Sequence, residues 1–269
     1  MELSKKKQRL ESKLREMESV VVAYSGGVDS ALLATVAYYV LTDKAIAVTA
    51  QSNSLPQREL ENAKNLAKEI GFKHRIIMTG EMNNPLYMSN PTDRCFHCKT
   101  ELYGSLRTVA NELNFKHIAN GVNRDDLKDF RPGISAGQNA GVLTPLCDAG
   151  LDKADTRALA RELRLPVADK PASPCLSSRV PYGQKITPEK LSMIELAEDF
   201  LMGLGFTQLR VRHYGSLARI ELLPEELPRF FSEGTAQTTE KKLHELGFSC
   251  VEIDPRGYRS GSLNEAIGK

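Results

Sequence analysis

The chain has 269 residues, 41% hydrophobic and 26% charged, with 36 Lys and Arg against 34 Asp and Glu. That length accommodates one large α/β domain plus a smaller one, and a formal net charge of +2 gives no global attraction to nucleic acid. No apolar run is long enough to span a bilayer, and the charged stretch 1–17 lacks the apolar core of a secretory signal, so the expected location is the cytoplasm, without a membrane partner.

Leu3, Leu10, Leu14 and Met17 recur at helical spacing among charged residues, and the chain is expected to open with an amphipathic helix. Residues 20–24 form a short β-branched run ending at Ser25-Gly26-Gly27, and 30–40 follow as an apolar helix. Strands are then expected at 45–50, 73–78 and 117–121, with helices at 56–70 and 102–113. Alternation of this kind favours a parallel sheet covered by helices on both faces. Residues 123–144 are polar and glycine-rich and read as a loop of functional size. A helix at 153–163 is stopped by Pro166, and 171–182 is a second irregular segment. After Thr187-Pro188 the pattern changes to helix 189–204, strands 208–213 and 218–222, helix 235–246 and strand 249–253. The expected architecture is an α/β parallel-sheet domain over 1–185 followed by a smaller α+β domain over 186–269.

The strongest local signal is Ser25-Gly26-Gly27-Val28-Asp29-Ser30, set where strand meets helix. Glycines let the backbone turn sharply and approach a ligand. Successive N–H groups and the helix N-terminus then make an anion pocket, to which the Ser25 and Ser30 hydroxyls can donate. Asp29 beside phosphates suits either Mg²⁺ or a helix cap. The pattern lacks the Gly-Lys-Ser/Thr of a Walker loop and the Gly-x-Gly-x-x-Gly of a dinucleotide fold. Gly121, Arg124, Asp125, Asp126, Asp129 and Arg131 crowd the end of the fourth strand. There they serve a nucleotide or Mg²⁺, or are solvated loop charge.

Five cysteines, an odd number, argue against a disulfide framework and leave metal binding, reactivity or burial. Cys147 and Cys250 have apolar or strand-like surroundings and are expected to be buried. Cys95-Phe96-His97-Cys98 is a C-x-x-C pair. It reads as part of a metal site, with His97 or His74 able to complete a zinc set, as a redox dithiol, or as two buried helix-start thiols.

Ser-Gly-Gly-x-Asp-Ser resembles the PP-loop of ATP pyrophosphatases, a group that includes GMP synthetase, NAD synthetase, asparagine synthetase and tRNA thiolases. The resemblance implies ATP and Mg²⁺, with the β- and γ-phosphates gripped as a pyrophosphate leaving group while an oxygen nucleophile attacks the α-phosphorus. Longer motifs narrow it. Asn120-Gly121-Val122-Asn123-Arg124-Asp125-Asp126, Asp169-Lys170-Pro171-Ala172-Ser173-Pro174-Cys175-Leu176-Ser177-Ser178-Arg179, Arg210-Val211-Arg212-His213 and Tyr258-Arg259-Ser260-Gly261 are similar to the LarE family of sulfur transferases over essentially the whole chain.

The family resemblance implies sulfur insertion into a pyridinium biscarboxylic acid mononucleotide, a precursor of the nickel-pincer cofactor, by a homo-oligomer whose sulfur donor is left open. It puts Cys175 at the sulfur-handling position beside a catalytic role for Asp29. With Cys95 and Cys98 it implies a three-thiolate 4Fe–4S cluster. It also implies that Arg212 and Arg259 hold the substrate phosphate and that Glu198 and Glu221 take a divalent cation. Arg229 stands where some relatives carry an Asp, which leaves that cation site a carboxylate short. A tRNA thiolase needs a basic surface that near-neutral charge does not provide, and an amide-forming ligase has no use for the three cysteines. A nucleotide sensor binds ATP without releasing pyrophosphate.

Overall fold

A computed structural model of the chain describes residues 2–128, 131–232 and 234–259. They form two compact units, Met1–Asn84 with Asp93–Ser173, and Pro85–Thr92 with Pro174–Lys269. In chain order the first unit begins with α1 (Leu3–Met17), β1 (Val20–Ala23), α2 (Val28–Leu41), β2 (Ala45–Gln51), α3 (Gln57–Ile70) and β3 (His74–Met78). After α4 (Pro85–Met88), which belongs to the second unit, come α5 (Arg94–Glu112), β4 (His117–Ala119), α6 (Pro132–Asn139), α7 (Pro145–Asp148) and α8 (Lys153–Glu162). The second unit continues with α9 (Pro188–Gly203), β5 (Arg210–Tyr214), β6 (Leu217–Glu221), α10 (Leu227–Phe230), α11 (Thr235–Glu245) and β7 (Cys250–Ile253).

The first unit is an α/β sandwich around a four-stranded sheet of order β3-β2-β1-β4, and its pairings are parallel. Side chains alternate across a strand. Val20 and Val22 of β1 therefore join the core made with Leu10, Leu14, Leu33, Ala63 and Leu159, from α1, α2, α3 and α8. Val21 points the other way, to Tyr103, Leu106 and Val109 of α5 and Ala136 of α6. The β-branched run of β1 is buried on both faces, as a central parallel strand requires. In the second unit β5 pairs antiparallel with β6, and β6 pairs parallel with β7. Ala197 and Leu201 of α9 and Leu243 of α11 pack with Val211, Ala218 and Ile220.

The structure departs from the sequence reading in three places. Helix α5 starts at Arg94, eight residues before the expected 102, and so includes the C-x-x-C pair. Within 123–144, Pro132 at a first-turn position opens α6, which packs along α5. Residues 174–185, placed at the tail of the first domain by sequence, fold with the second unit. The Asn90 side chain donates to the carbonyls of Val180 (3.1 Å) and Pro181 (2.7 Å), and the Ile186 N–H donates to the Met88 carbonyl at 2.8 Å. The compact units consequently divide at Ser173 and Pro174 rather than after Lys185.

One core residue makes the second unit sensitive to acid. His213 is 3% exposed, its ring centroid lies 5.2 Å from that of Phe248, and its Nδ1 has no partner among the described residues. Burial, with Lys190 nearby, pushes its pKa down. Below about pH 6.5 the unfolded chain takes up a proton that the folded imidazole resists, so stability falls as pH falls. His74, lowered by burial and by Lys64, adds an effect of the same sign. Melting temperature is expected to decline from pH 7 to pH 5, less steeply in His213→Gln, and thermal melts across that range check it.

Candidate active site

From β1 the chain runs outward to β2 and β3, then returns to β4 on the other side of β1. The point of reversal lies between β1 and β4, where ligands of open α/β sheets bind at the carboxyl ends of the strands. Ser25–Ser30 leaves β1 at that edge. Gly26 has φ +74, and a Cβ there would lie 3.1 Å from the Ala63 Cβ of α3, so the turn is both left-handed and tightly covered. Gly27 caps α2, whose first intrahelical bond runs from the Ala31 N–H to the Gly27 carbonyl at 2.9 Å. The N–H groups of Val28, Asp29 and Ser30 thus precede the helix's own ladder, as an anion cradle requires. The Ser30 hydroxyl donates to the Gly27 carbonyl at 3.0 Å and lies 3.2 Å from the Ser25 hydroxyl, which fixes the loop's shape.

Asp29 makes no cap bond; both its oxygens face partners from distant parts of the chain. Asn123 Nδ2 donates to Oδ1 at 3.1 Å, and the Lys153 ammonium pairs with Oδ2. Asn123 is fully buried, and its Oδ1 accepts from the N–H groups of Asp125 (2.9 Å) and Asp126 (3.3 Å). Lys153 opens α8, whose Asp152/Asp155 capping box sets the direction of the first turn. The Lys153 N–H also donates to Asp125 Oδ2 at 3.1 Å. Bonds from Lys128 and from that N–H hold the Asp125 carboxyl below the usual carboxylate range. Gly121 admits this assembly, because a Cβ there would sit 2.8 Å from Ser30 N and 2.9 Å from the Asp29 carbonyl carbon.

The Arg124 N–H bonds the Leu151 carbonyl at 2.9 Å, and Arg131 pairs with Asp126 at 2.8 Å. Asn123 and Lys153 were missed by the sequence reading; the Asp-x-x-Asp capping pattern at 152–155 was the available signal for the second.

In the second unit Cys175 precedes a single 3₁₀ turn, Leu176–Arg179. Arg179 and Glu198 are fully buried and form a two-bond fork, Nε to Oε1 and Nη2 to Oε2, both 2.9 Å. Arg212 and Glu221 repeat it at 2.9 Å and 2.9 Å. Burial opposes ionisation of Glu198, but Arg179 and then Arg210 outweigh it and hold the carboxyl below its usual range. Burial, with Arg179 adding, pushes Arg210 down to about 10. The glutamates expected to take a divalent cation are therefore engaged by guanidinium groups, since each Glu sits on a face shared with an arginine. Arg212, expected at the substrate phosphate, donates to Glu221 and to the Ser178 carbonyl. Arg259 donates to the Gly257 carbonyl at 2.9 Å and lies 3.8 Å from Asp254. Arg229 stacks on Phe206 at 4.0 Å. Asp129, Phe130, Ser260 and Gly261 lie outside the described residues.

A protein-family model described as NAD synthase matches residues 2–91, the stretch that carries the glycine loop. An uncharacterised protein of Synechocystis is 45% identical over 267 residues, 97% of this chain and 100% of that protein. The pyridinium-3,5-bisthiocarboxylic acid mononucleotide synthase of Lactiplantibacillus plantarum is 34% identical over 268 residues, 99% of this chain and 96% of the synthase. The chain belongs to the LarE family. It is accordingly an ATP-dependent sulfur-transferring enzyme of the PP-loop superfamily. A glutamine-hydrolysing GMP synthase of Sulfurisphaera tokodaii is 29% identical over 191 residues, 65% of this chain and 51% of that protein.

Within this LarE-family chain all five cysteines are free thiols. Cys95 (exposed) and Cys98 (half-buried) stand one helical turn apart at the start of α5 in the first unit, while half-buried Cys175 belongs to the second. A cleft of about 350 Å³ along α5 is lined by Phe96, His97, Thr100 and Glu101. Among the described residues no group of three His, Cys, Asp or Glu side chains is placed to hold a metal ion. Cys147 is half-buried, with burial and then Asp148 pushing its thiol up. Cys250, expected to be buried, is exposed, because it opens the edge strand β7.

Proposed function

We propose that this chain uses ATP to adenylate the carboxylates of pyridinium-3,5-biscarboxylic acid mononucleotide and converts them to thiocarboxylates for nickel-pincer nucleotide synthesis. The observation that carries the reading is the near full-length identity to the synthase from L. plantarum. The loop geometry supports it. A carboxylate oxygen of the substrate attacks the α-phosphorus, the α–β bridging bond breaks, and pyrophosphate leaves into the cradle of N–H groups before Ala31. Donors fixed in advance stabilise the charge that develops on that leaving group. Mg²⁺ held at Asp29 supplies the same stabilisation, and Lys153 moves from Asp29 to the phosphates when the metal arrives. A sulfur nucleophile then attacks the acyl carbon; a C–S bond forms, a C–O bond breaks, and AMP departs with the carboxylate oxygen.

Cys95, Cys98 and Cys175 are the residues that would hold a 4Fe–4S cluster, which when bound offers one iron without a protein thiolate to carry a sulfide. Their free thiols and the helical-turn spacing of the first two support that set. Anaerobic reconstitution is expected to load iron and labile sulfide, and Cys98→Ala to lose most of both. Wild-type cluster content in Cys98→Ala defeats the cluster. Pyrophosphate release that depends on the pyridinium dicarboxylate tests the adenylation itself; ATP binding without release would leave a nucleotide sensor.

A further inference from the structure

Arg179 spends only part of its guanidinium on Glu198. Its Nη1 donates to the Pro174 carbonyl (2.6 Å), to the Cys175 carbonyl (2.9 Å) and to the Ser178 hydroxyl (3.0 Å). Arg212 does the same from the other end of the turn, donating through Nη1 to the Ser178 carbonyl at 2.7 Å. Each arginine is locked by a two-bond carboxylate fork, and Glu198 Oε1 also accepts from the Val211 N–H of β5 at 3.1 Å. Arg212 and Glu221 meet because they share a face of the β5–β6 ladder as diagonal neighbours, Arg210 being opposite Glu221 and Arg212 opposite Arg219. The turn that carries Cys175 is thus tied to the rigid strand pair at both ends by charged bonds inside a dry core.

We propose that Arg179–Glu198 and Arg212–Glu221 are a two-point clamp that positions Cys175, with neither glutamate serving as a cation ligand and Arg212 acting on the turn rather than on a substrate phosphate. The inference rests on the reading of Cys175 as a sulfur-handling residue. A planar guanidinium with five fixed donors can bind a carboxylate with one edge and carbonyls with another. Lysine keeps the charge but cannot do both.

The clamp predicts a split between the two half-reactions. In Arg179→Lys and Arg212→Lys, thiocarboxylate formation is expected to fall by about 10²-fold, the cost of a displaced reacting group. Substrate-dependent pyrophosphate release and the KM for the mononucleotide stay near wild type. Parallel loss of both half-reactions, or a KM rise in Arg212→Lys with kcat intact, overturns the clamp in favour of substrate binding. Unimpaired thiolation in Arg179→Lys overturns it outright.

Glu198→Gln, which keeps the side-chain volume, should show the same split. Mn²⁺ binding to the nucleotide-free protein should be unaltered by it, and loss of a bound Mn²⁺ would restore the cation role. Hydrogen exchange on the wild-type protein gives a reading that needs no variant. The Ser178 amide, which donates to the Cys175 carbonyl at 3.0 Å, is expected to exchange as slowly as β5, and rapid exchange counts against a clamp. A Cys175→Ala protein that still thiolates at the wild-type rate removes the underlying reading of Cys175 and leaves the turn's rigidity to be judged by exchange alone.

Discussion

Asp29→Asn is expected to lower substrate-dependent pyrophosphate release by roughly 10²–10³-fold, the range seen when one preorganised electrostatic group is lost at a reacting centre. The substitution changes no volume, and Asn can still accept from Asn123 Nδ2 through its Oδ1. It removes the negative charge that pairs with Lys153 and that would hold Mg²⁺. The Asp29 and Lys153 side chains are 21% and 40% exposed, so the pair adds little to stability. The melting temperature should hardly move while turnover collapses. A pyrophosphate-release assay beside a thermal melt separates these outcomes, and activity within a few-fold of wild type would remove Asp29 from the chemistry.

Gly121→Ala is expected to damage both stability and activity. Its new methyl would meet Ser30 N at 2.8 Å, the Asp29 carbonyl carbon at 2.9 Å and the Ser30 Cα at 3.1 Å. All three are backbone atoms at the start of α2, so no side-chain rotation relieves the clash. Either the end of β4 or the glycine loop must shift. Overpacking of this kind costs about 1–3 kcal/mol, and each kcal/mol lowers the melting temperature by ~2–4 °C in a chain of this size. The shift falls on the N–H groups that make the cradle, so ATP affinity should drop together with stability. Thermal melts with and without ATP check this. A Gly121→Ala protein whose melting point rises with ATP as much as wild type would show that the cradle tolerates the displacement.

What the sequence made legible was local. Ser25–Ser30 is one continuous window, and β-branched runs bounded by turns marked the four strands of the first sheet. The rest of the site depends on contacts that close over long stretches of chain. Asn123 and Lys153 reach Asp29 across 94 and 124 residues, and nothing near either residue announces the meeting. Glu198 reads in isolation as part of a solvated helix face. It is buried because Arg179 from the preceding irregular segment lies against it, and periodicity cannot register a partner outside the helix.

The early start of α5 was hidden for a different reason: Cys95-Phe96-His97-Cys98 draws attention as a ligand motif, although those four residues also make one turn of helix. The second unit's use of Pro85–Thr92 left no compositional mark at either junction, since the segment is held by the Asn90 side chain and two backbone bonds.

The most direct test of the account is mass spectrometry of small molecules and protein after incubating reconstituted enzyme with ATP, Mg²⁺ and the pyridinium dicarboxylate mononucleotide. The account predicts a product in which sulfur has replaced carboxylate oxygen, AMP and pyrophosphate formed in step with it, and a polypeptide of unchanged mass. ATP consumed with every carboxylate oxygen still in place would contradict it.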